Sequence, residues 1–265
     1  MRHFYINPLA VTKRSAFIEG DEAHHIKNVL RLKPGDPLKL FDGTGVEYTA
    51  EVKKIEADKV EVAIRNKLRP ETGPKVRTMV AQAFLKDKKM DDLVRSLSEL
   101  GIDGWIPFFS QRSIARPDKK RLAGRVQRWK RIATAALKQC RRKSMLEISD
   151  TLSFEEVLEL GQSIDLRIVF WEHESMPLNR NIWNVTGSAL GSVMVMLGPE
   201  GGFTDQEIET ARQAGFVTAG LGPRILRAET ATLAASTLVQ YIFGDMGTTA
   251  SESKPIVKSQ MRNGI

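Results

Sequence analysis

At 265 residues, with 42% hydrophobic and 27% charged residues, the chain holds enough apolar material for a core in one large or two modest domains, which excludes a disordered or collagen-like chain. Its longest apolar run, 193–197, is far short of the ~20 residues that a bilayer span needs. A single cysteine, Cys140, excludes an internal disulfide or a cysteine-based zinc site. No basic-then-apolar leader opens the chain, so a cytoplasmic location without membrane contact is expected. The formal net charge of +8 is unevenly spread. Residues 1–70 carry 13 Lys/Arg against 10 Asp/Glu, 71–143 carry 19 against 7, and 144–265 carry 8 against 15.

Residues 1–72 have the pattern of a small β-barrel-like module with one helix. Asp21 stands as N-cap of a helix over 22–32, ended by Pro34-Gly35-Asp36. A strand over 38–41 leads into the turn Asp42-Gly43, and alternating runs over 48–55 and 59–64 read as further strands. The stretch 70–74 reads as a linker. Beyond it, strands are expected over 76–84, 105–109, 166–171, 193–197 and 216–221, and helices over 89–100, 121–142, 205–214 and 230–243. Thr204 with Glu207 forms a capping box for the helix over 205–214. Such alternation implies an α/β fold with a parallel sheet covered on both faces. The tail 248–265 lacks apolar periodicity and is expected to be disordered.

The stretch 119–146 holds 11 basic residues and no carboxylate. A solvated helix usually interleaves both signs, because unlike pairs at helical spacing stabilise it by about 0.2–0.5 kcal/mol each. A one-sign stretch forgoes that support, and it reads as a phosphate-contact surface rather than a merely soluble face. Two glycine-bearing segments stand between an expected strand and an expected helix. They are 197–204, with glycines at 198, 201 and 202, and 221–231, with Gly222. In an open parallel sheet, ligands bind beyond the carboxyl ends of strands, where such loops expose backbone amides. Tight turns alone would also explain Gly-Pro and Gly-Gly. Neither a Rossmann fingerprint nor a P-loop is present.

The segments 197–207 (LGPEGGFTDQE) and 221–231 (LGPRILRAETA) resemble the signature loops of the SPOUT, or trefoil-knotted, methyltransferases. In particular they resemble the RsmE family, which methylates uracil N3 in small-subunit (16S) ribosomal RNA. The resemblance covers nearly the whole chain. Arg2-His3-Phe4, the stretch 24–31 (HHIKNVLR), Gly35-Asp36 and Phe41-Asp42-Gly43 are similar to the family's PUA-like RNA-binding domain. Lys89-Met90-Asp91, Glu99-Leu100-Gly101 and Arg128-Trp129 are similar to its central pattern. Three places depart from the family: Ser96 for a lysine, Lys138 for a glutamate and Leu146 for a proline.

The resemblance implies a PUA-like domain over 1–72, a knotted SPOUT domain over 73–247, and a homodimer. It implies S-adenosylmethionine held at Leu197, Gly198, Pro199, Glu200, Gly201, Gly202, Leu221, Gly222, Ile225, Leu226, Arg227 and Ala231, with Ile225 and Leu226 as apolar wall. The partner it implies is small-subunit ribosomal RNA, free or within the 30S subunit, with contacts expected at Arg2, His24, Arg31, Lys119, Arg128, Arg141 and Arg142.

Methylation at uracil N3 requires loss of a proton, and the resulting charge spreads over the flanking carbonyl oxygens. Arg227 is the expected anion stabiliser. Glu229 or Glu200 would accept the proton, or each would instead hold its loop by bonding backbone amides, with Thr230 capping the last helix and solvent taking the proton. A sulfonium donor is already activated and needs no metal, and N3 alkylation needs no cysteine adduct from Cys140. Adjacent His24 and His25 diverge by about 100° on a helix and share an ion poorly; one is expected inward, the other facing RNA or solvent. Arg31 would bond phosphate or complement the helix dipole. Trp129 would anchor the core or stack on a base. Two other functions stay open at this point: a non-catalytic ribosome-assembly factor, and a transfer RNA methyltransferase of the same fold.

Overall fold

The computed structural model describes residues 2–12, 14–68, 76–140, 142–178 and 190–247. The expected linker and tail lie outside the described residues. Five strands build the first module: β1 (Arg2–Tyr5), β2 (Ser15–Glu19), β3 (Pro37–Phe41), β4 (Glu47–Ile55) and β5 (Lys59–Leu68). They run in the order β1-β3-β4-β5-β2. β1 pairs parallel with β3, and the other pairs are antiparallel. Alternation in β3, β4 and β5 sends Leu38, Leu40, Val52 and Val62 into one core with Phe4, Ile18 and Ile26.

The helix of this module differs from the sequence reading. α1 (Gly20–His24) starts behind Glu19, so Asp21 lies in its first turn rather than at its cap. It then widens into a π-turn, His25–Val29, and Arg31 closes it in the left-handed region at φ 51°. Both histidines are exposed, against the expectation that one packs inward. The inward positions belong to Ala23 and Ile26, three residues apart. Asn28 Nδ2 donates to His24 Nδ1 at 3.0 Å, and His25 stands edge-on to Phe4.

The second module alternates strands and helices: β6 (Arg77–Ala83), α2 (Lys89–Glu99), β7 (Gly104–Phe109), α3 (Lys119–Cys140), β8 (Glu147–Ile148), β9 (Leu152–Ser153), α4 (Phe154–Gly161), β10 (Leu166–Phe170), β11 (Ser192–Leu197), α5 (Asp205–Gln213), β12 (Val217–Ala219) and α6 (Ala228–Ile242). Its sheet is parallel throughout, in the order β12-β10-β11-β6-β7-β8, with β9 also paired to β7. Successive strand residues alternate between two cores. Val80, Trp105, Ile168 and Val195 pack with Leu93 of α2, Trp129 of α3 and Val239 of α6. Met79, Ile106, Val169 and Met194 pack with Val157 of α4 and Ile208 of α5. The sheet is therefore covered on both faces.

Trp129 is a core anchor. It is fully buried, stacks on Trp105 and donates from Nε1 to Asp91 Oδ1 at 2.9 Å. Thr204 and Glu207 form the expected box at α5. α6 begins at Ala228 behind Arg227, so Thr230 lies inside its first turn and is not its cap. The first module docks on the end of α3: Met145 N–H donates to Gly43 O at 2.7 Å and Gly45 N–H to Lys143 O at 3.0 Å. Lys138, one of the departures, bridges the modules by an ion pair to Glu22 at 3.1 Å. Leu146, another departure, is buried in the core shared by α2, α3 and α6.

Candidate active site

Because every strand of the second sheet runs the same way, the carboxyl ends of β6, β10, β11 and β12 open on one side. A cleft of about 430 Å³ lies there. It is lined by Leu197, Gly198, Pro199, Glu200 and Gly202 after β11, and by Leu221, Gly222, Ile225, Leu226, Arg227 and Ala231 around the second turn. The two glycine-bearing segments thus meet, although β10 separates their strands. Gly201 is the exception among the expected residues. It turns outward, and its carbonyl accepts from Arg112 Nη1 at 2.9 Å. Ile225 lines the cleft but is 88% exposed, so within this chain it forms no closed wall.

Backbone fit explains the glycines that face the cleft. Gly202 has φ 66°, and a Cβ there would lie 2.1 Å from Glu172 Oε1. A Cβ at Gly198 would press on Gly202 and the Phe203 ring at 3.3 Å. The fully buried Gln82 of β6 ties this turn to α6: its Nε2 donates to Gly198 O at 3.1 Å, and Thr232 Oγ1 donates to its Oε1.

Sequence reasoning missed Lys89, Phe170, Trp171, Glu172, Arg224 and Ala228, all of which line the cleft. Phe170, Trp171 and Glu172 sit at the carboxyl end of β10, and strand-end position was the signal that would have found them. Lys89 Nζ lies 3.2 Å from Glu200 Oε1 and 3.1 Å from Glu229 Oε2. Lys86 N–H donates to the same Glu200 oxygen at 3.1 Å. Burial pushes the Glu200 carboxyl up, but the Lys86 amide, its own amide and Lys89 outweigh it and hold it below the ordinary glutamate range. At Glu229 burial is likewise overcome, by its own amide, Lys89 and Arg227. Burial lowers Lys89, and the two carboxylates raise it above the usual lysine value. Arg227 O accepts from Ala231 N–H at 2.8 Å, while its guanidinium has no hydrogen bond or ion pair among the described residues.

Of the residues expected to contact RNA, Arg2, His24, Arg31, Lys119 and Arg128 are on the surface, with Arg128 paired to Asp91 at 2.8 Å. Arg141 lies outside the described residues. Arg142 is a correction. Its side chain is 10% exposed, bonds the carbonyls of Ser98 and Ile102, and pairs with Asp103 at 2.8 Å. It fastens the α2–β7 turn and is not free for phosphate. Instead, α3 exposes Lys120, Lys130 and Arg131, which carry no carboxylate partner among the described residues.

The model of the RNA methyltransferase domain matches residues 72–240, and that of the RNA methyltransferase PUA domain matches 18–65. Ribosomal RNA small subunit methyltransferase E of Bacillus subtilis is 32% identical over 227 residues, covering 84% of this chain and 89% of its own. The protein of the same name from Mycobacterium bovis is 28% identical and covers 94% and 95%. The crystal structure of a ribosomal RNA small subunit methyltransferase E from Neisseria gonorrhoeae bound to S-adenosyl methionine aligns with a TM-score of 0.77 at 29% identity, covering 93% of this chain and 99% of that one. The chain belongs to the RNA methyltransferase family, and within it to the ribosomal RNA small subunit methyltransferase E group.

Proposed function

We propose that this chain transfers a methyl group from S-adenosylmethionine to N3 of one uridine in small-subunit ribosomal RNA, working as a homodimer. The observation that carries this reading is the meeting of both glycine turns in one cleft beside the unpaired Arg227 guanidinium. The residues present suit the cofactor. Gly198 and Gly202 leave a backbone cradle that a Cβ would fill, while Leu197, Leu221, Leu226 and Ala231 give apolar lining. Trp171 Nε1 is a shielded donor with no hydrogen-bond partner. When bound, S-adenosylmethionine supplies a methyl group already activated by its sulfonium.

The chain's own residues then have to accommodate the anion left on the uracil. Arg227 does so by offering N–H donors where charge gathers on a carbonyl oxygen. Glu200 and Glu229, held as weakly basic anions, serve their loops rather than accept the proton, which leaves to solvent. The RNA backbone lies along the exposed face of α3 and the α1 side of the first module, on Lys119, Arg128, Lys130, Arg131, Arg31, His24 and Arg2. The domain limits 1–72 and 73–247 follow this division, with the knot formed where the second turn packs on 174–177. Support for that packing is the Gly220 N–H donating to Met176 O at 2.8 Å, with no room for a side chain at Gly220 beside Glu174 O. No helix of the described residues is long and apolar enough to cross a membrane.

A mass-spectrometric map of ribosomal RNA from cells lacking this protein should show one lost N3-methyluridine, restored by the wild-type chain. An unchanged map overturns the reading. Arg227→Ala should lower turnover about a hundredfold while cofactor affinity measured by isothermal titration barely moves. Equal losses in both would make Arg227 a cofactor-binding residue. A well-folded protein that binds no cofactor would favour a non-catalytic RNA-binding role.

A further inference from the structure

Glu200 stands on the turn that follows β11, and Glu229 in the first turn of α6, behind the turn that follows β12; the two strands are not neighbours in the sheet. β10 pairs with both strands and lies between them, so no ladder bond joins the two segments directly. Besides Gln82, which joins the Gly198 turn to Thr232 of α6, the charged side chain that spans them is Lys89, the first residue of α2, within 3.2 Å of one carboxylate and 3.1 Å of the other. Glu229 Oε2 is shielded from solvent and has no hydrogen bond of its own; the Lys89 ammonium stands 3.1 Å from it. The turn before α2 is itself specialised. Asp87 adopts φ 57°, a left-handed conformation that costs a non-glycine residue energy, and its neighbour Lys86 delivers an amide to Glu200.

We propose that Lys89 is a positioning residue of the cofactor site, its single ammonium holding Glu200 and Glu229 so that the two glycine turns keep their working separation before any ligand arrives. The assignment rests on the reading above that these turns hold the cofactor. The charge balance gives the reason. Two carboxylates against one ammonium leave this trio net negative, while the whole lining, with Glu172, Arg224 and Arg227, balances to zero. Without Lys89 the two carboxylates would repel each other and part the turns. Their remaining charged surroundings are Arg227 beside Glu229, with Glu172 and Arg224 on the cleft wall. Each ion pair is partly exposed, so the effect is moderate rather than absolute. Holding a site in its bound geometry raises affinity by lowering the cost of ordering.

The test is a carbon-13 NMR titration of the glutamate carboxyls in ligand-free protein, beside isothermal titration with S-adenosylmethionine, for wild type, Lys89→Met and Lys89→Arg. In Lys89→Met both carboxyl midpoints should rise, and cofactor affinity should fall about five- to tenfold at neutral pH. That loss should lessen toward acid pH, where protonation of either carboxyl removes the repulsion. Lys89→Arg should restore both. Should Lys89→Met fail to fold, Glu229→Gln removes one end of the clasp alone: cofactor binding should weaken while Glu200 keeps its low midpoint. Unchanged midpoints in Lys89→Met, or raised midpoints with unaltered cofactor affinity, overturn the proposal. A wild-type protein that binds no cofactor would sink the functional reading, whereas the ligand-free titration judges the clasp by itself.

Discussion

A methyl group added at Gly202 would meet two separate penalties. One is the left-handed φ of 66°, which costs an L-residue roughly 1–2 kcal/mol; the other is Glu172 Oε1, 2.1 Å from where the Cβ would stand. Gly202→Ala should therefore lower stability by at least about 1–2 kcal/mol in chemical denaturation and weaken cofactor binding. Adding Glu172→Ala relieves the steric share only, so the double variant should regain part of the stability; full recovery would mean that φ carries no cost there. The glycines were legible because spacing and strand–helix context marked them. Lys89 was not, because its role depends on two carboxylates more than 100 residues away that only the fold brings to it. Arg142 was misread for the same reason. A basic residue in a basic run gives no sign that Asp103 and two carbonyls will enclose it.

At the level of the helix, α3 separates its charges by duty. Trp129, Ala133 and Leu137 make its buried stripe, while Lys120, Arg131 and Lys138 share an opposite ridge at spacings of 11 and 7 residues. Phosphate binding releases counterions, so removing one phosphate-bound cation reduces the salt dependence of RNA affinity by a slope of about 1. Lys130→Ala and Arg131→Ala should each show that reduction. Arg142→Ala should instead leave the slope unchanged and cost about 2 kcal/mol of stability, since it removes the ion pair to Asp103 and the donor to the Ile102 carbonyl. A changed slope in Arg142→Ala would return it to the RNA surface. Long periodic elements such as α2, α3 and β11 were readable from pattern alone. α4 was overlooked although Ser153 and Glu156 form a capping box of the same kind as Thr204 and Glu207. β1 offers only four residues with Phe4 as its one buried side chain, too little alternation to read. The π-turn after α1 leaves no mark in hydrophobic spacing, because Ala23 and Ile26 suit an ordinary helix equally well.

For the molecule as a whole, the parallel sheet gathers three strand ends into one cleft, yet one wall of it stays open. Ile225 lines the cleft while 88% exposed, and α6 presents Leu238 and Tyr241, 40% and 62% exposed, away from the core that takes Ala235 and Val239. An apolar face of this kind is costly in water unless a second surface covers it. In the proposed homodimer a second copy would cover it. Leu238→Asp together with Tyr241→Asp should therefore give a monomer in sedimentation experiments. Its fold should survive, because neither side chain belongs to the chain's own core. Were the partner also to close the wall at Ile225, the monomer should bind S-adenosylmethionine roughly tenfold more weakly, which is what leaving part of one apolar side chain in water amounts to. A monomer with undiminished affinity would show that each chain builds its cleft alone, and an unchanged sedimentation profile would show that this face is not where two copies meet.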